Sequence, residues 1–448
     1  MNSKGIEQLK KSLEVFDDWK QSFGEWDMDA SLHVPLQKVE EVFENLVERL
    51  EGNYPFHHPV YAGQMLKPPH PLTWAAYALG MSINPNNHAL DGGPPSSEME
   101  KEVIKEMVSF YGFGDEYLGH LSASGTIANL EALWVARESH PGKGVAFSSN
   151  SHYTHERMCS VLGMQGYKVA VLEDGMLDLD SVDTNSIGTL VVTLGTTGLG
   201  DVEPLHRILP WAKEHDIRIH IDCAYGGFFH VIKDSGLIDN KAWNMIHSAD
   251  SIVVDPHKHG LQPYGCGCVL FNDPNVARFY LHDSPYTYYT SDELHLGEIS
   301  LECSRAGAAA IALWTTLKLF PLKQDEGFGG ILQQCRKAAI RMYELVNTSQ
   351  VLAAYKEPEL DIIAYFPSQV GKLSEISATS TRVFDEGMKN RSFYLSLYKV
   401  PAAAFLKFHP QYEADEEYVT ILRSVLMRPE HATFVDELVQ RIEKVIHN

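Results

Sequence analysis

Residues 217–222 read IRIHID, and residues 251–258 read SIVVDPHK. In each stretch a short run rich in β-branched residues ends in polar side chains, Asp222 in the first and Lys258 in the second. Further runs of this kind lie at 145–148, 167–172, 189–194 and 266–271. Nearly continuous apolar runs are typical of strands that are buried on both faces. Since helical patterns separate several of these runs, the sequence predicts an α/β fold with a mainly parallel central sheet covered by helices on both sides.

The sequence outside these strands divides the chain into three regions. Residues 1–55 have a charged helical pattern with apolar residues at three- and four-residue spacings, which predicts a helical arm that needs a partner surface. Residues 56–325 hold the predicted sheet and form a large domain. Residues 326–448 combine helical patterns with an alternating run at 360–366 and a strand-like run at 403–408. They predict a small α+β C-terminal domain.

Composition excludes several classes of protein. The 448 residues include 37 Lys and Arg against 59 Asp and Glu, which gives a net charge of −22 and disfavours nucleic acid and membrane surfaces as partners. The first residues lack the apolar core of a signal peptide, so we expect a cytoplasmic protein with six reduced cysteines. Cys266 and Cys268 have no second pair to complete a metal site, and we expect no metal.

Ligands of open α/β sheets bind beyond the carboxyl ends of the strands, which is where Lys258 and Asp222 are expected. A lysine at a strand end is usually solvated, but in a cleft its amine is a nucleophile for carbonyl groups. An aspartate there is commonly a helix cap. The two residues together have a joint meaning, because an acidic partner for a pyridinium nitrogen beside a Schiff-base lysine is characteristic of pyridoxal phosphate enzymes.

Two further segments fit the same cofactor. Ser124, Gly125 and Thr126 open a helical pattern, and the N–H groups at a helix start bind phosphate, although simple N-capping by a hydroxyl is equally consistent. His152 follows a predicted strand and could stack on an aromatic ring, although a lone histidine is more often structural.

The combination resembles the pyridoxal phosphate-dependent group II amino acid decarboxylases, of the aspartate aminotransferase-like fold (fold type I). Within that family the sequence is most similar to bacterial and archaeal tyrosine decarboxylases. The motifs that carry the resemblance are NPNNHAL, GHLSASGTIANLEALWVAR, TLGTTGLG, HIDCAYGG, DPHKHGLQPYG and ECSRAGAAA, in family order over residues 54–320.

The resemblance implies a role for each matching residue. Lys258 would form the Schiff base with the cofactor, Asp222 would pair with the pyridine nitrogen, and His152 would stack on the ring. The other implied cofactor contacts are Ala224 on the opposite ring face, Ser124, Gly125, Thr126 and His257 at the phosphate, Thr196 near the ring and Ser304 from the neighbouring subunit. A homodimer with shared active sites follows from the last of these.

The implied reaction is decarboxylation of an L-amino acid, most simply an aromatic one such as tyrosine, to the amine and CO₂. Tyr286, Tyr288 or Tyr289 would return the proton to Cα, although surface aromatics at a dimer interface explain these three tyrosines nearly as well. Candidate substrate contacts in the N-terminal loops are His58, Tyr61, Gln64 and His88. The alternatives are an acidic substrate, a carbon–carbon lyase of the sphingosine-phosphate lyase type, an aminotransferase-like or non-catalytic member, and a metal or nucleotide hydrolase on the same sheet.

Overall fold

The computed structural model describes residues 3–172, 175–281 and 299–447. Within these ranges the α-helices are α1 Ser3–Gln21, α2 Leu36–Leu50, α3 Pro71–Met81, α4 Pro94–Tyr111, α5 Gly125–Ser139, α6 Thr154–Val161, α7 Leu205–Glu214, α8 Ala277–Tyr280, α9 Gly307–Leu319, α10 Phe328–Thr348, α11 Leu373–Lys389, α12 Ala402–Phe408 and α13 His431–His447. The β-strands are β1 Leu118–Ser122, β2 Gly144–Ser148, β3 Gly166–Val169, β4 Ile187–Thr193, β5 Arg218–Asp222, β6 Ser251–Val254, β7 Gly267–Phe271, β8 Leu322–Lys323, β9 Glu326–Gly327, β10 Leu352–Ala354, β11 Ile362–Pro367, β12 Ser396–Pro401 and β13 Tyr418–Val425.

Seven of the described strands form the central sheet, in the order β1-β7-β6-β5-β4-β2-β3. Strands β2 to β6 run parallel to one another, and β7 is antiparallel to both β6 and β1. The predicted, mainly parallel sheet is therefore confirmed, and each of the six predicted strands is present within three residues of its expected limits. Sequence analysis missed β1, which occupies one edge of the sheet.

Alternate residues of the central strands explain why helices cover both faces. Leu190 and Val192 of β4 pack in a cluster with residues of α4, α7 and α9. Val191, between them, points the other way and packs with residues of α5 and α6. Because successive strand side chains point to opposite faces, an entirely apolar strand needs a helical layer on each side.

A second sheet in the described C-terminal region has the order β10-β11-β13-β12 and is antiparallel throughout. It confirms the predicted strand at 360–366, whereas the strand predicted at 403–408 is wrong because these residues form α12. Pro401 precedes three alanines, which favour helix, and Ala402 and Phe405 bury the same side of that helix.

The segment before α3 packs against the C-terminal sheet. Tyr61 pairs with Tyr394, and Val425 N donates to Ala62 O at 2.9 Å. Residues 60–62 belong to the same buried cluster as α10 and α13. The domain limits at 55 and 325 stay a prediction, but the structure shows that the first residues of the predicted large domain contribute to the C-terminal core.

The N-terminal arm is formed by α1 and α2, in agreement with the predicted helical pattern. Helix α1 lies against α3, where a Cβ added at Gly5 would come 2.8 Å from Pro71 O. Helix α2 has no buried residue, and the apolar side chains of its stripe, such as Phe43 and Leu46, are exposed. None of the described helices has the length and apolar run that crossing a bilayer requires.

Candidate active site

A cavity lies beyond the carboxyl ends of the central parallel strands, as expected for an open α/β sheet. Its lining comes from the ends of β4, β5 and β6, the start of α5 and the segment after β2. The lining residues are Gly125, Thr126, Asn129, His152, Thr154, Thr193, Gly195, Thr197, Asp222, Ala224, Tyr225, Asp255 and Lys258. The structure thus brings Lys258, Asp222, His152 and the turn before α5 together, although they are far apart in sequence.

Asp222 is the last residue of β5 and is almost fully buried. Its Oδ2 lies 2.8 Å from Nε2 of His155, and its Oδ1 accepts a hydrogen bond from Ala224 N at 3.1 Å. Burial alone would raise the pKa of this carboxyl, but the hydrogen bond and charge of His155, the charge of Lys258 and the Ala224 N–H hold the pKa below its usual value. The cavity therefore contains a fixed negative charge.

His152 contributes a neutral ring to the cavity. Its Nδ1 accepts a hydrogen bond from Thr154 N at 3.2 Å and lies 2.6 Å from the Thr154 hydroxyl. Because Nδ1 is the acceptor, the ring proton resides on Nε2. Burial keeps the pKa of His152 below its usual value, so that the ring stays uncharged at neutral pH. A neutral, flat ring is suited to stacking on another aromatic system.

The turn that opens α5 is the predicted phosphate site. The Ser124 hydroxyl caps the helix by accepting a hydrogen bond from Ile127 N at 3.3 Å, which confirms the simple capping interpretation. Gly125 follows in a tight position, because a Cβ there would lie 2.6 Å from both carboxylate oxygens of Asp255. Thr126 also lines the cavity, so the N-terminus of α5 opens toward it.

Lys258 lies in the segment after β6, beside Asp255. Its Nζ is 3.2 Å from Asp255 Oδ2, and its side chain is 21% exposed, which leaves the amine accessible from the cavity. His257, next to it, has Nδ1 2.7 Å from Cys266 O and stays neutral because burial lowers its pKa. Its Nε2 is 3.5 Å from the Asp255 carboxylate. Asp255 therefore connects the amine, this histidine and the turn at Gly125.

A buried ion pair holds two of the resembling motifs against the phosphate turn. Arg305 of ECSRAG lies 2.6 Å from Glu100 and also donates to Leu121 O at 2.6 Å. Glu100 in turn accepts from Asn87 of NPNNHAL at 2.6 Å and from Leu121 N at 3.0 Å. Leu121 belongs to β1, so this network positions the strand that leads into the turn.

Two further predicted cofactor contacts, Thr196 and Ser304, are not among the residues that line the cavity. The Thr196 hydroxyl accepts a hydrogen bond from Asp201 N at 3.0 Å, while its neighbour Thr197 lines the cavity. Ser304 is exposed and accepts from Asn86 Nδ2 at 3.1 Å. Their roles at the cofactor stay predictions.

The predicted substrate contacts are outside the cavity lining. His58 lines a separate groove between α2 and the C-terminal region, and Tyr61 is buried among aromatic rings there. Gln64 is exposed, and the backbone N–H of His88 donates to Asn86 Oδ1. These four assignments stay predictions. The loop tyrosines Tyr286, Tyr288 and Tyr289 lie outside the described residues.

Sequence analysis missed two side chains at the site. His155 is fully buried against Asp222, and Asp255 pairs with Lys258. Both are at i, i+3 spacing from a residue that was identified, His152 and Lys258 respectively, and this spacing puts side chains close together in a helical turn. That spacing was the available signal.

The arrangement fits pyridoxal phosphate. Gly125 and Thr126 line the cavity at the N-terminus of α5, a position that suits a phosphate, and Asp222 offers a buried anion to a basic ring nitrogen. His152 offers a neutral ring, and the primary amine of Lys258 suits an aldehyde. An enzyme that uses pyridoxal phosphate on a mainly parallel sheet is the class that this fold and cavity define.

Comparison with known proteins agrees with this class. Residues 36–366 match the family described as the pyridoxal-dependent decarboxylase conserved domain, and the chain belongs to that family. It is a pyridoxal phosphate-dependent carboxy-lyase, as the motifs predicted.

Curated relatives differ in the substrate that they name. The L-tyrosine decarboxylase of Enterococcus faecium is 26% identical over 412 residues, which cover 68% of this chain and 67% of that protein. A probable L-tyrosine/L-aspartate decarboxylase of Methanothermobacter thermautotrophicus is 28% identical over 68% of this chain and 82% of its own length. A probable L-aspartate decarboxylase of Pyrococcus abyssi is 24% identical over 86% of this chain and 97% of its own length.

Solved structures confirm fold type I. Mouse CSAD superposes with a TM-score of 0.79 at 19% identity, covering 98% of this chain and 91% of that one. The TDC of Oryza sativa, solved with PLP and tryptamine, gives a TM-score of 0.77 at 13% identity over 100% and 98%. A sphingosine-1-phosphate lyase of Burkholderia pseudomallei gives a TM-score of 0.71 at 18% identity and covers 95% of this chain and 94% of that one. Enzymes with different chemistries therefore share this fold.

Proposed function

We propose that this chain decarboxylates an aromatic L-amino acid, tyrosine or a close analogue, to the amine and CO₂. The observation that carries the proposal is the single cavity in which the Lys258 amine, the Asp222 carboxylate and the His152 ring converge. The Enterococcus relative supports tyrosine. Tyr264 adds support, because its partly exposed ring lies 4.8 Å from His257, beside the lysine, where an aromatic side chain could pack.

Each residue of the cavity has a physical task in this proposal. The N-terminus of α5 with Ser124, Gly125 and Thr126 binds the anionic end of the cofactor, and His257 adds a neutral contact beside it. The primary amine of Lys258 would hold the cofactor covalently through its aldehyde. Pyridoxal phosphate supplies the electron sink for the electrons that departing CO₂ leaves behind.

Asp222 and His152 set the electrostatics of that sink. The Asp222 carboxylate, fixed by two hydrogen bonds, would favour a proton on the ring nitrogen of the cofactor, and that positive charge would strengthen the pull on electrons. His152 and Ala224 line the cavity and would hold the flat ring of the cofactor between them. The predicted donor of the last proton, to Cα, is Tyr286, Tyr288 or Tyr289.

The substrate is tested with purified protein, added pyridoxal phosphate and a panel of L-tyrosine, L-phenylalanine, L-tryptophan, L-aspartate and L-glutamate. We expect amine and CO₂ in equal amounts, with kcat/KM for L-tyrosine about 100-fold above that for L-aspartate, because a site built for a ring leaves a second carboxylate unpaired. Preferred release of β-alanine from L-aspartate would replace the aromatic assignment by the acidic one. No amine from any amino acid, with cleavage of a long-chain phosphorylated amino alcohol, would favour the lyase alternative.

We further propose a cytoplasmic homodimer whose subunits share their active sites. Five apolar side chains of α2 recur on one stripe and are exposed in the single chain, namely Val42, Phe43, Leu46, Val47 and Leu50. Such a stripe is stable in water only when a second surface covers it. Because the stripe belongs to the chain's own arm, a second copy of this chain is the partner proposed here.

Placing a charge in the apolar stripe of α2 tests the proposed dimer. Wild-type protein should sediment at about twice the 50.2 kDa of one chain. Leu46→Glu places a charge in the middle of the stripe and should shift the population to monomer. Glu48→Lys changes the charge on the opposite side of the same helix and should leave the dimer intact. A wild-type monomer, or a dimer unaffected by Leu46→Glu, would contradict the proposed interface.

A further inference from the structure

His155 is a buried group to which the proposed reaction gives no task. It lies in the first turn of α6, one turn after His152, and none of its surface is exposed. Its Nε2 is 2.8 Å from Asp222 Oδ2. An ionised carboxylate can only accept hydrogen bonds, so Nε2 carries the proton and donates it to the carboxylate. Together with Ala224 N on Oδ1, it gives each oxygen of Asp222 a donor.

The surroundings of His155 hold its ring in place without adding charge. On one side is Phe147, whose ring centre is 6.0 Å away, and on another is His220 at 6.4 Å. Burial lowers the pKa of His220 to about 3, which keeps that ring neutral. The donor to Asp222 therefore lies between a phenyl ring and an uncharged imidazole.

His220 is itself fixed by a chain of hydrogen bonds that reaches the phosphate turn. The amide nitrogen of Asn129 donates to Gly125 O at 2.8 Å, which leaves its Oδ1 to accept from His220 Nε2 at 2.8 Å. Nδ1 of His220 then accepts from the Ser251 hydroxyl at 2.8 Å. Because each of these hydrogen bonds has a defined donor and acceptor, His220 has one tautomer and one orientation.

We propose that His155 is a positioning residue that orients the Asp222 carboxylate and keeps it ionised for the ring nitrogen of pyridoxal phosphate. The inference rests on the proposed pairing of Asp222 with that nitrogen. A buried carboxylate with one hydrogen-bond donor fewer is less stable as an anion. Loss of the His155 N–H would therefore weaken the interaction between the Asp222 carboxylate and a protonated cofactor ring. His155 acts through Asp222 and has no assigned contact with the substrate.

Two substitutions separate the hydrogen bond from the volume of the side chain. His155→Phe keeps a ring but removes the donor. His155→Gln keeps an amide N–H at a similar distance from the backbone and serves as the rescuing variant. Phe147→Leu is the matched control, because it removes packing beside His155 and leaves the hydrogen bond intact.

The measurements are the ¹⁵N chemical shift of cofactor labelled at the ring nitrogen and the dissociation constant of the cofactor. In wild-type protein we expect the shift of a protonated nitrogen. His155→Phe should move the shift toward the unprotonated value and weaken cofactor binding by about 10-fold. His155→Gln should recover most of both, and Phe147→Leu should lower thermal stability while both values stay at wild type.

The outcomes distinguish this inference from the pairing on which it rests. If Asp222→Asn moves the ring-nitrogen shift but His155→Phe does not, the role of His155 is wrong and the pairing stands. If neither substitution moves the shift, the pairing is wrong and the inference falls with it. Should His155→Phe fail to fold, ¹⁵N-histidine spectra of wild-type apoprotein decide, since a His155 Nε2 without a proton would overturn the proposal.

Discussion

Lys258→Ala should abolish the near-visible absorbance band of the lysine-bound cofactor and slow amine release by at least about a thousand-fold. The amine is the covalent attachment of the cofactor, and its loss also removes a group that can move protons at the reacting carbon. Absorbance spectra of protein incubated with pyridoxal phosphate, followed by assays of amine and CO₂, measure both effects.

Lys67→Met is the matched control for that experiment. Lys67 is also buried, its pKa is lowered by that burial, and its Nζ donates to Met427 O at 3.0 Å, on the side of the C-terminal sheet. It lines no part of the described cavity, so the substitution should keep the band. A band that survives in Lys258→Ala and is lost in Lys67→Met would show that the cofactor is attached to Lys67 and not to Lys258.

Asp222→Asn should lower kcat by about 100- to 1,000-fold while the near-visible band remains. The amide keeps the shape of the side chain but removes the negative charge that holds a proton on the ring nitrogen. Attachment of the cofactor through Lys258 does not require that charge. The absorbance band should therefore remain while kcat falls, whereas Lys258→Ala should lose both. Steady-state assays with L-tyrosine, together with the spectrum, measure this separation.

Asp250→Asn provides the comparison at the other end of the sheet. Asp250 lies just before β6, where its carboxylate accepts from Ile219 N at 2.8 Å, away from the cavity lining. The substitution should lower the free energy of unfolding by about 1 kcal/mol and leave kcat unchanged. Equal losses of kcat in the two variants would show that Asp222 has no special relation to the reaction.

The central strands could be predicted because each is a short apolar run that packs on both faces. Strand β1 escaped prediction because it reads LGHLS, in which Gly119 and His120 are unusual for a buried strand. The structure explains both residues. A Cβ at Gly119 would lie 2.7 Å from Leu270, and His120 Nε2 lies 2.9 Å from a carboxylate oxygen of Glu131 in α5. Such compensation depends on partners that are distant in sequence.

The residues of the candidate site likewise include some that the local sequence predicts and others whose place depends on tertiary packing. Asp222 and Lys258 could be predicted because strand ends converge at one edge of a parallel sheet. Tyr61 is predicted to contact substrate because its loop is rich in Pro and His, and that assignment stays a prediction. The structure adds that this loop packs into the C-terminal core, where Tyr61 contacts Phe56 and Tyr394. Local composition identifies an ordered loop, but only tertiary packing decides which surface that loop covers.

Reduction of the holoprotein with borohydride, followed by peptide mass spectrometry, tests the central claim most directly. The reagent converts the labile bond between cofactor and lysine into a stable one, so the labelled peptide identifies the attachment site. We predict one cofactor per chain, on Lys258 in the segment DPHKHG. Label on Lys67 or another lysine, or no label in protein that still releases amine and CO₂, would contradict the account.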